Sequence, residues 1–454
     1  MSSVRPKTVC VIGAGVSGLR AAQVLASAGF KVTILEARDQ GSGRVAQTPA
    51  LGLPIDLGAS WIHDTQGNPL TDLAEKVGSA TVACGAVYSI CMESGTWIDQ
   101  DLAKARYEEV WELLELLIEE SHETYSLLQF LKGLCIDEGL EGDNLFIAST
   151  YARIIAQLLC SIEQQAQLRY SCEVNKIEHQ ADGVGGVLVE AADGFHNTFD
   201  DVVVTAPLGW LKRNHHIFSP ALTPELSTAI QSLGYGNLDK VFIKFSRAFW
   251  DQPASTVAPE GEGLRSASHS PGFPIESLYL KPSYAYSTNP PRWRQEIISF
   301  SSLPQGFSQP IIMFFVYGQW GRHIAGLVRG LDRQSKEYHR LLDAHFRLYY
   351  SKLPNYDSTS KDCEPVKFFS TDWQDDRLAG YGSFTNIPVC SGDCLGHLSL
   401  LRNGMGEARG IWFAGEHTSP PGGSGTVHGA YWSGEEVAKR ICRTCGLQTG
   451  DLSS

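Results

Sequence analysis

The segment TVCVIGAGVSGLRAAQVLASAGFKVTILEAR, residues 8–38, restricts the fold of this chain more than any other stretch. Residues 8–12 are a short β-branched apolar run, the pattern of a strand buried on both faces. Gly13, Gly15 and Gly18 follow in GxGxxG spacing, residues 19–28 read as an alanine- and leucine-rich helix, and residues 31–35 as a second buried strand ending in Glu36. Together these predict a βαβ unit. Gly13 permits the tight turn, Gly15 lets the backbone approach a pyrophosphate, and Gly18 lets helix and strand pack closely. Phosphates are expected at the helix N-terminus, where free N–H groups and the helix dipole favour anions. Glu36, at the end of the second strand, stands where a carboxylate holds ribose hydroxyls. The unit implies a bound dinucleotide without saying which one.

At 454 residues the chain exceeds one ordinary core, so two domains are expected. A formal charge of −13 argues against nucleic acid or an anionic membrane as partner and is compatible with a cationic substrate. No apolar run approaches the roughly 18 residues needed to span a bilayer. The opening MSSVRPKTVC carries no secretory pattern, the final DLSS is not a peroxisomal tripeptide, and eleven cysteines lie scattered through apparent core positions. A reducing, cytoplasmic setting is expected. Cys442 and Cys445 form a lone CxxC without zinc-finger or thioredoxin context, and no metal site is expected.

Beyond Glu36 come Arg38, then GSGRV at 41–45, both on loops near the phosphate site. IDLGASWIHD at 55–64 holds small residues, Gly58, Ala59 and Ser60, that let backbone approach a flat ring. Residues 103–132 have the period of a long amphipathic helix, and residues 146–160 read as another. Strands are predicted over 173–179, 187–191, 202–205, 240–245 and 311–317, and a helix over 335–348. The Pro-, Ser- and Gly-rich stretch 251–310 reads as an elaborated loop. Near the C-terminus GIWFAG, residues 410–415, is a strand ending in Gly415, followed by Glu416, a glycine-rich loop at 422–425, and a helix opening at Thr426 and Val427.

These motifs, with GAGVSGLRAA…LEAR, DLGASWIHD…GNPL, VVVTAPLGWLK, GNLDKV and FAGEHT…GTVHGAYWSGEEVAKRI in order along the chain, resemble the flavin amine oxidases, most nearly their polyamine oxidase branch. The resemblance implies a Rossmann-type α/β FAD-binding domain, residues 1–75, 151–212 and 376–454, interleaved with an α+β substrate-binding domain, residues 76–150 and 213–375. It implies that Gly13, Gly15, Gly18, Glu36, Arg38, Gly43 and Arg44 bind the ADP half of FAD, with Val174 at the adenine. Ala59, Ser60 and Trp61 would lie along the ring, Gly415 and Glu416 at the ribityl–pyrophosphate, and Thr426 and Val427 at the helix end facing the flavin pyrimidine. Lys240 matches the family lysine that holds a water at the flavin, and His63 a histidine at the active-site mouth. The implied reaction takes hydride from the carbon next to an unprotonated amine, giving an imine, with O₂ restoring FAD and releasing H₂O₂. A small-molecule amine and O₂ are then the partners.

The chain departs from the family pattern in four places. Ser42 replaces a glycine in GGRV. Pro421-Gly422-Gly423-Ser424-Gly425 lacks the aromatic residue that forms one wall of an amine cage, for which Tyr381 or Phe384 would substitute, with Tyr151 a further candidate at the substrate. The stretch before Tyr151 is short. Ser383 stands near the position of the cysteine that tethers FAD in monoamine oxidases, so non-covalent FAD is expected. A same-fold desaturase or dehydrogenase of a non-amine substrate and a flavin-binding paralogue without turnover are the alternatives.

Overall fold

The computed structural model describes residues 5–84, 88–98, 102, 142–180, 185–251, 272–388, 394–419 and 422–447. The amphipathic helix expected over 103–132 lies outside them. Thr8–Ile12 is the centre of a five-stranded parallel sheet ordered Ile411–Phe413, Asp201–Val204, Thr8–Ile12, Lys31–Leu35, Ala166–Arg169. The first four of these strands are almost wholly buried because both faces are covered, whereas the edge strand Ala166–Arg169 alternates half-buried and exposed. One face packs against the helices Val16–Ser27 and Val427–Thr444, the other against the core under the four-stranded sheet that contains Val174–His179. Strands from residues 8 and 411 thus lie two positions apart, which carries the C-terminal loops to the N-terminal glycine turn.

The two helices cross in close contact. A Cβ added at Gly434 would fall 2.1 Å from the Ser17 carbonyl oxygen, so only glycine fits. Beside this crossing Arg20 is buried, its Nε donating to Glu435 at 2.9 Å and its guanidinium 4.6 Å above the Tyr431 ring. A buried charge needs such partners.

The second unit is a six-stranded sheet ordered Lys367–Ser370, Leu238–Lys244, Ile311–Tyr317, Gln295–Ser299, Glu276–Tyr279, Tyr88–Cys91. All neighbours are antiparallel except the last pair. One face carries Val241, Phe314 and Ile297 against the helices Gly318–Val328 and Lys336–Tyr350. The other carries Phe242, Met313 and Ile298 against Ile55, Phe146 and Phe300. Each fully buried side chain of this size stabilises by about 1.5–3 kcal/mol. The fold is a Rossmann-type α/β domain interleaved with an α+β sheet domain, and Lys240 sits on the face between them.

Two sequence expectations are corrected. Asn144–Ile147 is a strand, not the start of a helix, because it pairs with both Trp61–Ile62 and Thr81–Cys84. Thr150, at φ 64, then breaks the chain before the helix Ala152–Cys160. The supposed loop 251–310 contains the strands Glu276–Tyr279 and Gln295–Ser299, whose alternation was masked by flanking Pro, Ser and Gly. No described helix is long and apolar enough to cross a membrane.

Candidate functional site

The first cluster forms where the parallel strands end. Gly13 has φ +108, and a Cβ at Gly18 would lie 2.0 Å from the Gly13 carbonyl oxygen, so the turn excludes any side chain there. A Cβ at Gly15 would lie 4.0 Å from the Gly43 Cα, which sets the GxGxxG and GSGRV loops side by side. Glu36 is buried, and its carboxylate accepts from the Ala14 N–H at 2.7 Å and the Arg38 N–H at 2.8 Å. The Glu36 carbonyl accepts from Cys172 N–H at 2.9 Å, bringing buried Val174 to the same strand end. Arg38 pairs with Asp376 at 2.8 Å.

Arg44 joins the two ends of the chain. Its Nη1 donates to Glu416 Oε1 at 2.9 Å and to the Ser383 carbonyl at 2.7 Å. Glu416 also accepts from the Thr385 hydroxyl at 2.9 Å and the Gly425 N–H at 3.0 Å. Burial pushes the Glu416 carboxyl up, but the Arg44 charge and these bonds outweigh it and hold it below the usual carboxylate range. Gly415, at φ +136, turns the chain from the strand Ile411–Phe413 into this network. The helix Val427–Thr444 is capped by Thr426, whose hydroxyl accepts from Gly429 N–H at 2.9 Å.

Lys240 is buried and reaches across from the six-stranded sheet to the segment 56–60. Its Nζ donates to the Asp56 carbonyl at 3.1 Å, the Gly58 carbonyl and the Ser60 hydroxyl. An ammonium has three donors, and all three are engaged. Burial draws the Lys240 ammonium below the usual lysine range, opposed by the Asp56 charge. Burial likewise raises the Asp56 carboxyl, opposed by Lys240. The segment they share is clamped on its other sides. A Cβ at Gly58 would fall 1.7 Å from the Arg44 carbonyl oxygen, and Trp373 Nε1 donates to the Leu57 carbonyl at 3.0 Å. Trp373 is itself set by buried Asp239, which accepts from its N–H at 2.9 Å.

From Ser60 the chain continues through half-buried Trp61 to exposed His63, roughly 10 Å along an extended strand. His63 Nδ1 bonds Asn144 at 3.0 Å, and its carbonyl accepts from the Asn68 side chain at 2.6 Å. Asn68 also bonds His428 Nδ1 at 3.3 Å, tying this segment to the C-terminal helix. Of the proposed aromatic walls, Phe384 lies at the 422–425 loop, since a Cβ at Gly425 would touch its ring edge at 3.4 Å. Tyr381 is on the surface with the Arg213 guanidinium 4.9 Å from its ring. Tyr151 is wholly buried and spends its hydroxyl on the Trp61 carbonyl at 2.5 Å. The fold thus sets Phe384 beside the 422–425 loop, Tyr381 on the surface and Tyr151 in the core under Trp61.

These residues fit a flavin dinucleotide. Ser17 Oγ and Ser424 Oγ, near the N-termini of the two long helices, are buried with no hydrogen-bond partner among the described residues. Orphaned donors at helix N-termini beside a side-chain-free glycine cradle suit phosphate or another anion.

Sequence reasoning missed two carboxylates. Strand register sets Glu276 opposite Ile298, Ile298 opposite Met313 and Met313 opposite Phe242, two residues from Lys240. Residues directly opposite, or two apart along a strand, share a face. Glu276 therefore lies on the Lys240 face, and Glu296, opposite Leu278, lies there too. Burial, with Glu296 as like-charged neighbour, raises the Glu276 carboxyl to about 7. Burial raises Glu296 as well, opposed by Arg294. The alternation of ESLY and QEIIS was the available signal.

The family described as flavin containing amine oxidoreductase matches residues 16–132 and 107–442. The chain is 27% identical to polyamine oxidase 4 of Oryza sativa subsp. japonica, covering 97% of this chain and 91% of the relative. It is 28% identical to probable polyamine oxidase 4 of Arabidopsis thaliana, covering 97% and 88%. It is also 30% identical to lysine-specific histone demethylase 1 homolog 2 of Oryza sativa subsp. japonica, covering 96% of this chain and 57% of that protein. A solved putrescine oxidase, redesigned in its cofactor binding, shares the fold with a TM-score of 0.68 at 15% identity, over 97% of this chain and 99% of the other.

Proposed function

The chain belongs to the flavin-containing amine oxidoreductases, and from that premise we propose that it is an FAD-dependent oxidase of a small amine carrying a second cationic group. The observation that carries this reading is Lys240, buried and aimed by three hydrogen bonds at the segment 56–60. FAD, when bound, supplies the acceptor for hydride from the carbon next to the amine nitrogen and returns the electrons to O₂, giving H₂O₂. The chain's own residues bind and orient.

Glu36 would take the ribose hydroxyls, and the N–H groups at Gly15 and Val427 the anionic parts. Arg44 and Glu416 would fix the cofactor between the two ends of the chain. Ser383 offers no thiol for a covalent tether, and its hydroxyl is committed to Leu238 at 2.6 and 3.0 Å. The flavin is therefore proposed to be non-covalent. The Lys240 charge, preorganised in a water-poor site, would stabilise negative charge developing on dioxygen. His63, at the exposed end of the strand, would accept a hydrogen bond from the incoming amine. Glu276 and Glu296, on the Lys240 face, would receive the second cation. The interleaved segments 1–75, 151–212 and 376–454 are assigned to the cofactor, and 76–150 and 213–375 to the substrate.

Turnover tests this reading. Purified holoprotein supplied with polyamines should consume O₂ and release H₂O₂ and an aldehyde in equal amounts. Dehydrogenation of a polyamine coupled only to a dye, with no peroxide, would leave an amine dehydrogenase and remove the oxidase.

A further inference from the structure

A cavity of about 130 Å³ lies behind the Lys240 cluster, between the two structural units. Its outer rim is formed by exposed Leu53 and Gly306, and its inner wall by buried Asp56 and Ser60, the residues that accept hydrogen bonds from Lys240 Nζ. Phe146, Ala148 and Leu303 line the passage between. Its size is enough for several small molecules, since one water needs roughly 10–15 Å³.

The lining decides what can use it. An ammonium passing between Phe146, Leu303 and Phe307 would lose most of its hydration, which the neutral side chains of Ser149, Thr150 and Gln309 on the same lining replace only in part. The acid on the wall, Asp56, is already spent: its carboxylate accepts from Gln47 at 3.0 Å and from the Tyr151 N–H at 3.1 Å. A neutral apolar diatomic meets no such barrier. His63, by contrast, is exposed three residues beyond Ser60 and is not among the residues that line the cavity.

We propose that this cavity is the access route for dioxygen to Lys240 and Ser60, separate from the path taken by the amine. The inference rests on the oxidase reading only for the identity of the electron acceptor. Crystals of the holoprotein pressurised with xenon should show xenon in the cavity, and Ala148→Leu should remove it. In the same variant, after reduction by dithionite without amine, the second-order rate of reoxidation by O₂ should fall by about tenfold or more, equivalent to about 1.4 kcal/mol of barrier. Reduction by the amine should keep its rate. Leu303→Phe, narrowing the passage from the opposite wall, should repeat the result if Ala148→Leu does not fold.

Three results would overturn the proposal: no xenon in the unaltered cavity, unchanged reoxidation in a variant that excludes xenon, or amine reduction slowed as much as reoxidation. Because dithionite replaces the amine, slow reoxidation of the variant in a protein that no amine reduces would sink the amine reading and leave the dioxygen route standing.

Discussion

Lys240 shows how much one buried cation organises. Its three donors hold the carbonyls of Asp56 and Gly58 and the hydroxyl of Ser60, so it fixes the backbone of the cofactor segment and places positive charge beside it. Lys240→Met keeps the length of the side chain and removes the charge. Reoxidation by O₂ is expected to slow by at least about a hundredfold, the scale seen when one preorganised electrostatic group is lost. Flavin content should change little, and stopped-flow absorbance checks both. Two buried imidazoles carry a different consequence. Burial holds His417 and His428 neutral, each pushed down to about 4 from the ordinary 6.5. Between those values the unfolded chain binds the protons and the folded chain does not, so stability rises with pH. The contribution is complete above pH 6.5 and is lost as pH falls towards 4, at about 1.4 kcal/mol per pH unit for each group. Glu276, raised to about 7, and the raised Asp56 carboxyl act in the opposite sense over the same window, so the slope is read as a difference: between pH 7 and 5 the urea midpoint of His417→Leu should fall less than that of the unaltered protein, by one proton's worth.

At the scale of elements, the glycine turn and the sheet face make opposite demands. The turn works by having no side chains: Gly18→Ala would put a Cβ 2.0 Å from the Gly13 oxygen, whereas Gly326, inside the helix Gly318–Val328, has open space around it. Gly18→Ala should abolish flavin binding or folding, while Gly326→Ala should stabilise by about 0.5–1 kcal/mol. Flavin absorbance and thermal midpoints separate the two. The sheet face works by what it carries. Glu296 lies roughly 10 Å from Lys240 at ordinary strand spacing. Glu296→Gln should raise KM for di- and polyamines by about tenfold while leaving a monoamine unaffected, a loss in the range of a truncated charge contact. With Glu276 titrating at about 7, polyamine KM in the unaltered protein should fall as pH rises through that value. The βαβ unit was legible in sequence because its glycines and buried strands are local patterns. Glu276 and Glu296 were not, because they join Lys240 only through a register spanning four strands. The strand Asn144–Ile147 was misread for the same reason: pairing with residues 61–62 and 81–84 overrode its local helical pattern.

The whole molecule is a device for closing one site from distant parts of the chain. Residues 13–44 and 415–427 meet because their strands share one parallel sheet, and the Arg44–Glu416 pair bridges 372 positions of sequence. Lys240 arrives from the second sheet. Motif order made this convergence readable, but not which groups each motif residue would touch. The resemblance casts Lys240 as the lysine that holds a water at the flavin, and the protein oxygens it reaches, on Asp56, Gly58 and Ser60, could be named only from the fold. Tyr151 and Tyr381 were expected near the substrate, and packing sends one into the core and the other to the surface. We propose that this assembly oxidises an amine with two cationic groups. Mixing the holoprotein anaerobically with spermine, spermidine, N-acetylated polyamines, monoamines and amino acids tests it most directly. One di- or polyamine class should bleach the flavin band, and air should restore it. A flavin that dithionite bleaches and none of these amines does would contradict it.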